Sequence, residues 1–166
     1  MDFHSTEVIP FDRDVSRENF SCGNKVLDDW LGLYAGQNED KFRTRTFFAV
    51  DRDSLQLHGY FTTVFGEVKP GAELDGIAVS NYVKPAFLIA RLAVHQKSQG
   101  RGIGKLMLGE ALRKALGASE SAGLEMVIVD AIDNNAIAFY GRFGFIRFDS
   151  ESNRMFMTMK QLKASL

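Results

Sequence analysis

The stretch that decides the fold is Ser98-Gln99-Gly100-Arg101-Gly102-Ile103-Gly104-Lys105-Leu106-Met107-Leu108, "SQGRGIGKLML". Glycines at 100, 102 and 104 alternate with bulkier residues and lead into a helical pattern. Alternating glycines suit a turn whose backbone must come close to another body, and they suit a helix interior poorly. Upstream, "AFLIARLAV" (86–94) is an apolar run interrupted by Arg91, and downstream "EMVIVDAI" (125–132) is another. Runs of that kind are strands buried on both faces, as in a parallel pair. Between them the spacing predicts a helix from about Gly104 to Ala118, with Ile103, Met107, Ala111, Leu112, Ala115 and Leu116 on its apolar side. Strand, helix and strand make a βαβ unit, and the glycines stand at its first turn.

Working outward, "SCGNKVLDDWLGLYAGQ" (21–37) places Leu27, Trp30, Leu31 and Tyr34 on one helix face, with Asn24 or Ser21 as the cap. "TRTFFAV" (44–50) and "LHGYFTTVFGEV" (57–68) are rich in β-branched and aromatic residues, and the turn-like "DRDS" (51–54) joins them as a hairpin. "KPGAELDG" (69–76) is a loop by its Pro and Gly content. A second helix is expected over Asn134–Arg142, ended by Gly144. "FIRF" (145–148) and "RMFMTMK" (154–160) close a C-terminal hairpin around "DSESN". Antiparallel strands followed by one parallel βαβ unit give an α/β or α+β single sheet.

At 166 residues the chain has the length of one domain, so residues 1–166 are read as a single unit. Net charge is −1, so a nucleic-acid site has to be a local patch. The single cysteine, Cys22, has no internal disulfide partner, which points to a reducing compartment. "MDFHSTEVIP" (1–10) does not look like a signal sequence, and no apolar run approaches the ~20 residues that cross a bilayer. A soluble cytoplasmic protein with no membrane partner is expected.

Three motifs put glycines between a strand and a helix. A P-loop requires G-x-x-x-x-G-K-[ST], but Gln99 replaces its first glycine and Leu106 its Ser/Thr. A dinucleotide fingerprint requires G-x-G-x-x-G, but Lys105 stands at the third glycine. The remaining pattern, Q-x-x-G-x-G, is met by Gln99, Gly102 and Gly104. Backbone N–H groups at a helix start bind anions, and the helix dipole assists. Glycines remove the Cβ atoms that would hold an anion off, and Arg101 and Lys105 add positive charge. The plain alternative is a glycine-rich turn without a ligand.

On these residues the chain resembles the GNAT family of acetyl-CoA-dependent N-acetyltransferases. The resemblance continues in "DNNAIAFYGRFGF" (133–145), where Ala136, Tyr140, Gly144 and Phe145 match the family's N-x-x-A-x-x-x-Y-x-x-x-G-F and Asp133 replaces the usual Asn. It implies a central mixed, mostly antiparallel sheet with a splayed parallel pair, flanked by helices. It implies acetyl-CoA as cosubstrate and no metal. Cofactor contacts are implied from Leu92, Ala93 and Val94, from Gln99, Gly100, Arg101, Gly102, Ile103, Gly104 and Lys105, and from Asp133 and Tyr140.

"NFSCGNKVLDDWLGLYA" and "PAFLIARLAV" look like one branch, the toxins of bacterial toxin–antitoxin pairs of the TacT and AtaT kind. Phe20, Cys22, Gly23, Leu27, Asp28, Trp30 and Leu31 match its early segment, and His95 stands where Asp is common. Such toxins acetylate the α-amine of aminoacyl-tRNA and block translation; a ribbon-helix-helix antitoxin restrains them, and they are commonly homodimers. The chemistry agrees. A lysine amine, with a pKa near ~10.4, benefits from a placed base, and the strand 86–96 offers no carboxylate. An α-amine, with a pKa near ~8, needs little help. Tyr140 is the candidate general acid for the departing thiolate, or else a structural tyrosine beneath the cofactor.

Lys41, Arg43 and Arg45 share one face if the segment is extended, and with Arg91 and Arg142 they are candidate tRNA contacts. The alternatives are a solvated edge for 41–45 and a carboxylate partner for Arg91. Cys22 reads as a small buried residue, and His4, His58 and His95 lack metal-ligand spacing. Acetylation of a small amine, or a non-catalytic acetyl-CoA-binding module, are the competing functions.

Overall fold

A computed structural model describes residues 5–71, 74 and 81–165. Its contacts divide the chain into two compact units, Met1–Val64 with Arg91–Ala111, and Phe65–Ala90 with Leu112–Leu166. The elements in chain order are β1 (Thr6–Pro10), α1 (Lys25–Leu33), α2 (Ala35–Asp40), β2 (Arg45–Asp51), β3 (Leu57–Val68), β4 (Lys84–Val94), α3 (Ile103–Ser121), β5 (Met126–Asp130), α4 (Asn134–Arg142), β6 (Ile146–Arg147), β7 (Arg154–Thr158) and α5 (Met159–Ala164). The strands are ordered β1-β2-β3-β4-β5-β7-β6. β4 and β5 are parallel, while β1–β2, β2–β3, β5–β7 and β6–β7 are antiparallel. The mixed sheet with one parallel pair is the architecture expected from the sequence.

In the first unit, Asn24 caps α1 by accepting the Leu27 N–H at 3.1 Å, which fixes where the helix starts. Leu27, Trp30 and Leu31 are buried against Phe48, Val50 and Tyr60; Tyr34, expected on the same face, instead ends the helix and is 47% exposed. The β2–β3 turn forms because the Asp51 carboxylate accepts the N–H groups of Asp53 and Ser54 at 3.0 and 2.9 Å. At Gly59 on β3 a Cβ would lie 2.7 Å from the Ala93 carbonyl oxygen and 2.8 Å from the Met107 methyl, so only glycine lets these elements approach.

In the second unit, Val68, Leu74, Ala86, Met126, Ile128 and Phe156 form the core. β4 and β5 pair from Ala86↔Met126 to Ile89↔Val129, and β4 then runs on to Val94 beyond that register. Gly144, at φ +96°, follows α4 in the left-handed conformation expected of a helix stop.

Three local expectations change. The C-terminal strand stops at Thr158, because the Thr158 hydroxyl accepts the Gln161 N–H while the Gln161 side chain accepts the Thr158 N–H; this capping box starts α5. β1 and residues 38–40 at the end of α2 lie where the sequence reading assigned no element, and the helical stretch read over 21–37 is divided at Tyr34 into α1 and α2. The extended geometry expected for 41–45 is not formed. Lys41 ends α2, Phe42 turns at φ +56°, and only Arg45 lies in β2. His4 and residues 72, 73, 75 and 76 of the loop 69–76 lie outside the described residues.

Candidate functional site

The glycine turn is built by the residues before it. A short 3-10 turn, Gln96–Ser98, follows β4, and the His95 ring accepts the Lys97 N–H at 3.2 Å. The Gln99 side-chain amide donates to the carbonyls of Val94 at 3.0 Å and Cys22 at 3.1 Å. That fork ties the turn to the end of β4 and to the segment before α1. Gly100 and Gly102 then take φ +76° and +84°, which side-chain-bearing residues rarely adopt. α3 begins at Ile103, and Leu106 N–H to Gly102 C=O, 3.0 Å, is the bond that opens it. The first amides of a helix have no intrahelical acceptor, so the turn presents N–H groups at the positive end of a 19-residue helix.

A Cβ built at Gly100 or Gly102 would meet no atom of the described residues within 4 Å. No described part of the protein therefore requires glycine at these two positions by close approach. Open space, bare backbone and exposed Arg101 and Lys105 fit an anionic group such as a pyrophosphate. Ile103 is buried at 2% and anchors the helix start, and Gly104 lies in its first turn. Leu92 and Val94 are half-buried and Ala93 buried, all beyond the last β4–β5 register pair.

The sequence reading missed a buried support of this turn. His58 on β3 is 1% exposed, its Nδ1 lies 2.8 Å from the Ser98 Oγ, and its carbonyl accepts the His95 N–H at 2.8 Å. Burial lowers its pKa below 6.5, with the charges of His95 and Arg101 acting in the same direction and Asp51 opposing. A buried neutral imidazole beside a serine was legible only as an isolated histidine. Cys22, expected to be buried, is half-buried; burial, followed by a hydrogen bond with Asp28, pushes its thiol up to about 11, which favours the protonated thiol.

Tyr140 and Asp133 belong to the second unit. Asp133 caps α4, its Oδ1 accepting the Ala136 N–H at 2.8 Å. Tyr140 is 4% exposed, between the rings of Phe139 and Phe145. Burial, assisted by the Asp130 carboxylate, raises its pKa, so the phenol keeps its proton. Two buried tyrosines differ in one respect. The Tyr60 hydroxyl donates to the Leu27 carbonyl at 2.7 Å, whereas the Tyr140 hydroxyl has no hydrogen-bond partner among the described residues.

The cations are distributed unevenly. Arg45 is ion-paired with Glu39 and its guanidinium lies 4.3 Å from the Phe42 ring centroid. Lys41 and Arg43 are exposed. Arg91 lies 4.0 Å over the Trp30 ring, 3.5 Å from the Thr62 hydroxyl, and among the described residues no carboxylate pairs with it. The carboxylate alternative for Arg91 is replaced by an indole face. Arg142 is exposed on α4, in the second unit.

The profile of the acetyltransferase (GNAT) domain matches residues 44–147, from β2 through the glycine turn to β6. The chain belongs to the GNAT acetyltransferase family. This acetyltransferase is 32% identical over 148 residues to a tRNA-acetylating toxin of Mycobacterium tuberculosis strain H37Rv, covering 88% of this chain and 87% of the relative. Its fold is shared with a tyrosine-to-phenylalanine mutant of KacT, at TM-score 0.88 and 24% identity over 98% of this chain and 99% of that one. It is shared too with AtaT complexed with acetyl-methionyl-tRNAfMet, at TM-score 0.85 and 22% identity over 96% and 98%.

Proposed function

We propose that this acetyltransferase moves the acetyl group of acetyl-CoA to the α-amine of an aminoacyl-tRNA, and that the blocked tRNA stops translation. The observation that carries the reading is the 32% identity, over 88% of the chain, to a protein named a tRNA-acetylating toxin. AtaT, which shares the fold, has been caught with acetyl-methionyl-tRNAfMet.

Acetyl-CoA supplies an activated thioester. The amides from Gly102 to Lys105 hold its pyrophosphate, with Gln99 fixing the turn, Gly100 and Ile103 shaping it, and Arg101 and Lys105 adding charge. Leu92, Ala93 and Val94 offer backbone groups to the pantetheine arm, as an added strand would receive them. The neutral amine nitrogen forms a bond to the acetyl carbon as the carbon–sulfur bond breaks. The sulfur keeps the bonding pair and takes the Tyr140 proton; Tyr140 is recharged by the proton the amine releases. The uncommitted Tyr140 hydroxyl supports this role. Asp133 contributes through α4, which it caps. An α-amine with a pKa near ~8 is substantially neutral at physiological pH, so no separate base is required.

Lys41, Arg43, Arg45, Arg91 and Arg142 position the tRNA phosphates. Residues 1–166 act as one catalytic domain in the cytoplasm, as a homodimer. A ribbon-helix-helix antitoxin is the proposed partner; a structure of an AtaT mutant bound to the C-terminus of the antitoxin AtaR supports an antitoxin as partner. Regulated expression in a bacterium tests the function. Growth is expected to stop as acetylated aminoacyl-tRNA accumulates, and arrest without acetylated tRNA overturns the reading.

A further inference from the structure

Phe42 is 80% exposed, the most exposed large apolar side chain among the described residues. It turns at φ +56°, a left-handed conformation that is costly for an aromatic residue and is retained where the surroundings impose it. Three backbone bonds hold the turn: Lys41 N–H to Gln37 C=O, Phe42 N–H to Glu39 C=O, and Arg43 N–H to Asn38 C=O, at 3.1, 3.2 and 3.0 Å. The ring is oriented as well. The Arg45 guanidinium lies over it at 4.3 Å, and Arg45 is itself held by the Glu39 carboxylate. That carboxylate also accepts the Thr46 N–H at 2.9 Å. Among the described residues no other ring meets Phe42. A fixed, water-facing phenyl ring is thus displayed on a structured turn.

The charge around it is specific. The two acids before it are neutralised, Glu39 by Arg45 and Asp40 by Arg13. Lys41 and Arg43, one on each side of Phe42, are exposed and make no ion pair among the described residues. An aromatic face between two cations that make no ion pair among the described residues matches the chemistry of a single-stranded nucleic acid, in which bases stack and phosphates pair with cations. Duplex RNA hides its base faces, so the matching ligand is an unpaired nucleotide.

We propose that Phe42 is a stacking platform for an unpaired base of the RNA substrate, with Lys41 and Arg43 holding the phosphates on either side. This rests on the tRNA-directed reading above and adds a base contact to its phosphate contacts.

The test is fluorescence anisotropy of the full-length protein with two labelled RNA hairpins, one with a short single-stranded 3′ overhang and one blunt. Wild-type protein is expected to prefer the overhang. Phe42→Ala should weaken that binding about tenfold, within the range for one stacked base, and leave the blunt hairpin unaffected. Phe42→Trp should restore it. Phe42→Asn, which suits the left-handed backbone, should behave as Phe42→Ala, excluding a folding effect. Equal binding of the overhang by Phe42→Ala and wild type overturns the proposal. So does an altered self-association in sedimentation with unchanged RNA binding, which would make Phe42 a protein contact. Binding is read without turnover. Wild-type protein that binds the overhang but leaves charged tRNA unacetylated overturns the function and spares the platform.

Discussion

The Nδ1 of His58, on β3, lies 2.8 Å from the Oγ of Ser98, the residue directly before Gln99 and the glycine turn. Ser98 is 5% exposed, so a strand in the middle of the sheet supports the turn from beneath. Removing the imidazole leaves a buried hydroxyl unpaired, at a cost of about 1–3 kcal/mol. His58→Ala is expected to lower stability by at least that amount and to weaken acetyl-CoA binding; His58→Gln, which keeps a hydrogen-bonding group, should recover part of both. Calorimetry and thermal melts read the two effects. A destabilised His58→Ala with unchanged acetyl-CoA affinity would separate His58 from the site.

The same pair sets a pH dependence. Burial lowers the folded pKa of His58 below 6.5, so at acid pH the unfolded chain takes up a proton that the folded one resists. The stabilisation is complete above the unfolded pKa of about 6.5 and is lost as pH falls below it. Wild-type melting temperature should therefore drop from about pH 7 to about pH 5 more than that of His58→Gln. Parallel curves for the two proteins would show that other groups cause the drop.

Gly102 separates backbone strain from ligand exclusion. At φ +84° with open space around it, any Cβ is strained, but Asn tolerates this conformation far better than Val. Gly102→Asn should leave the melting temperature near wild type and still abolish tight acetyl-CoA binding, because its side chain fills the anion cradle. Gly102→Val should lose both. Gly71→Asn, at φ +81° in the second unit, is the control and should bind as wild type does. Full affinity in Gly102→Asn would remove the cradle from the site.

Much of this was legible because it lies in short-range pattern. The helix caps at Asn24 and Gly144, the β2–β3 hairpin and the strand–glycine–helix unit are each specified within a few neighbouring residues. The parts that were not legible depend on distant partners. β1 is defined by its pairing with β2, Thr6↔Asp51 to Pro10↔Phe47, and its own five residues carry no alternation strong enough to mark a strand. The Ser98–His58 contact joins residues 40 positions apart. The basic segment failed for a local reason: the i, i+2, i+4 spacing of Lys41, Arg43 and Arg45 assumed an extended chain, and the left-handed turn at Phe42 breaks it. A phenylalanine gives no sequence signal for that conformation.

Tyr140→Phe keeps the buried ring and deletes only the hydroxyl. Because that hydroxyl bonds to no described residue, its loss should cost little stability. Turnover of charged tRNA should fall by about 10²-fold or more while acetyl-CoA affinity changes little. The raised pKa of Tyr140 also means that its deprotonation should give no descending limb in the pH–rate profile within the ordinary assay range. Near-normal turnover would leave Tyr140 a packing residue between Phe139 and Phe145.

The basic turn is best tested at Lys41 and Arg43, not at Arg45. Arg45→Glu would set a carboxylate against Glu39 and disturb the start of β2, so its effects would mix folding with binding. Lys41 and Arg43 are exposed and make no ion pair among the described residues, so reversing both to Glu should hardly alter the melting temperature. The chain carries a net charge of −1, and affinity for RNA has to come from local cations such as these. Each phosphate contact releases counterions, so wild-type KM for charged tRNA should rise steeply with salt. In the double variant KM should rise at low salt and its salt slope should flatten, while kcat and acetyl-CoA binding stay near wild type, since phosphate contacts position a substrate and perform no chemistry. A double variant with unchanged KM and an unchanged salt slope would make this turn a solvated edge and move the RNA contact elsewhere.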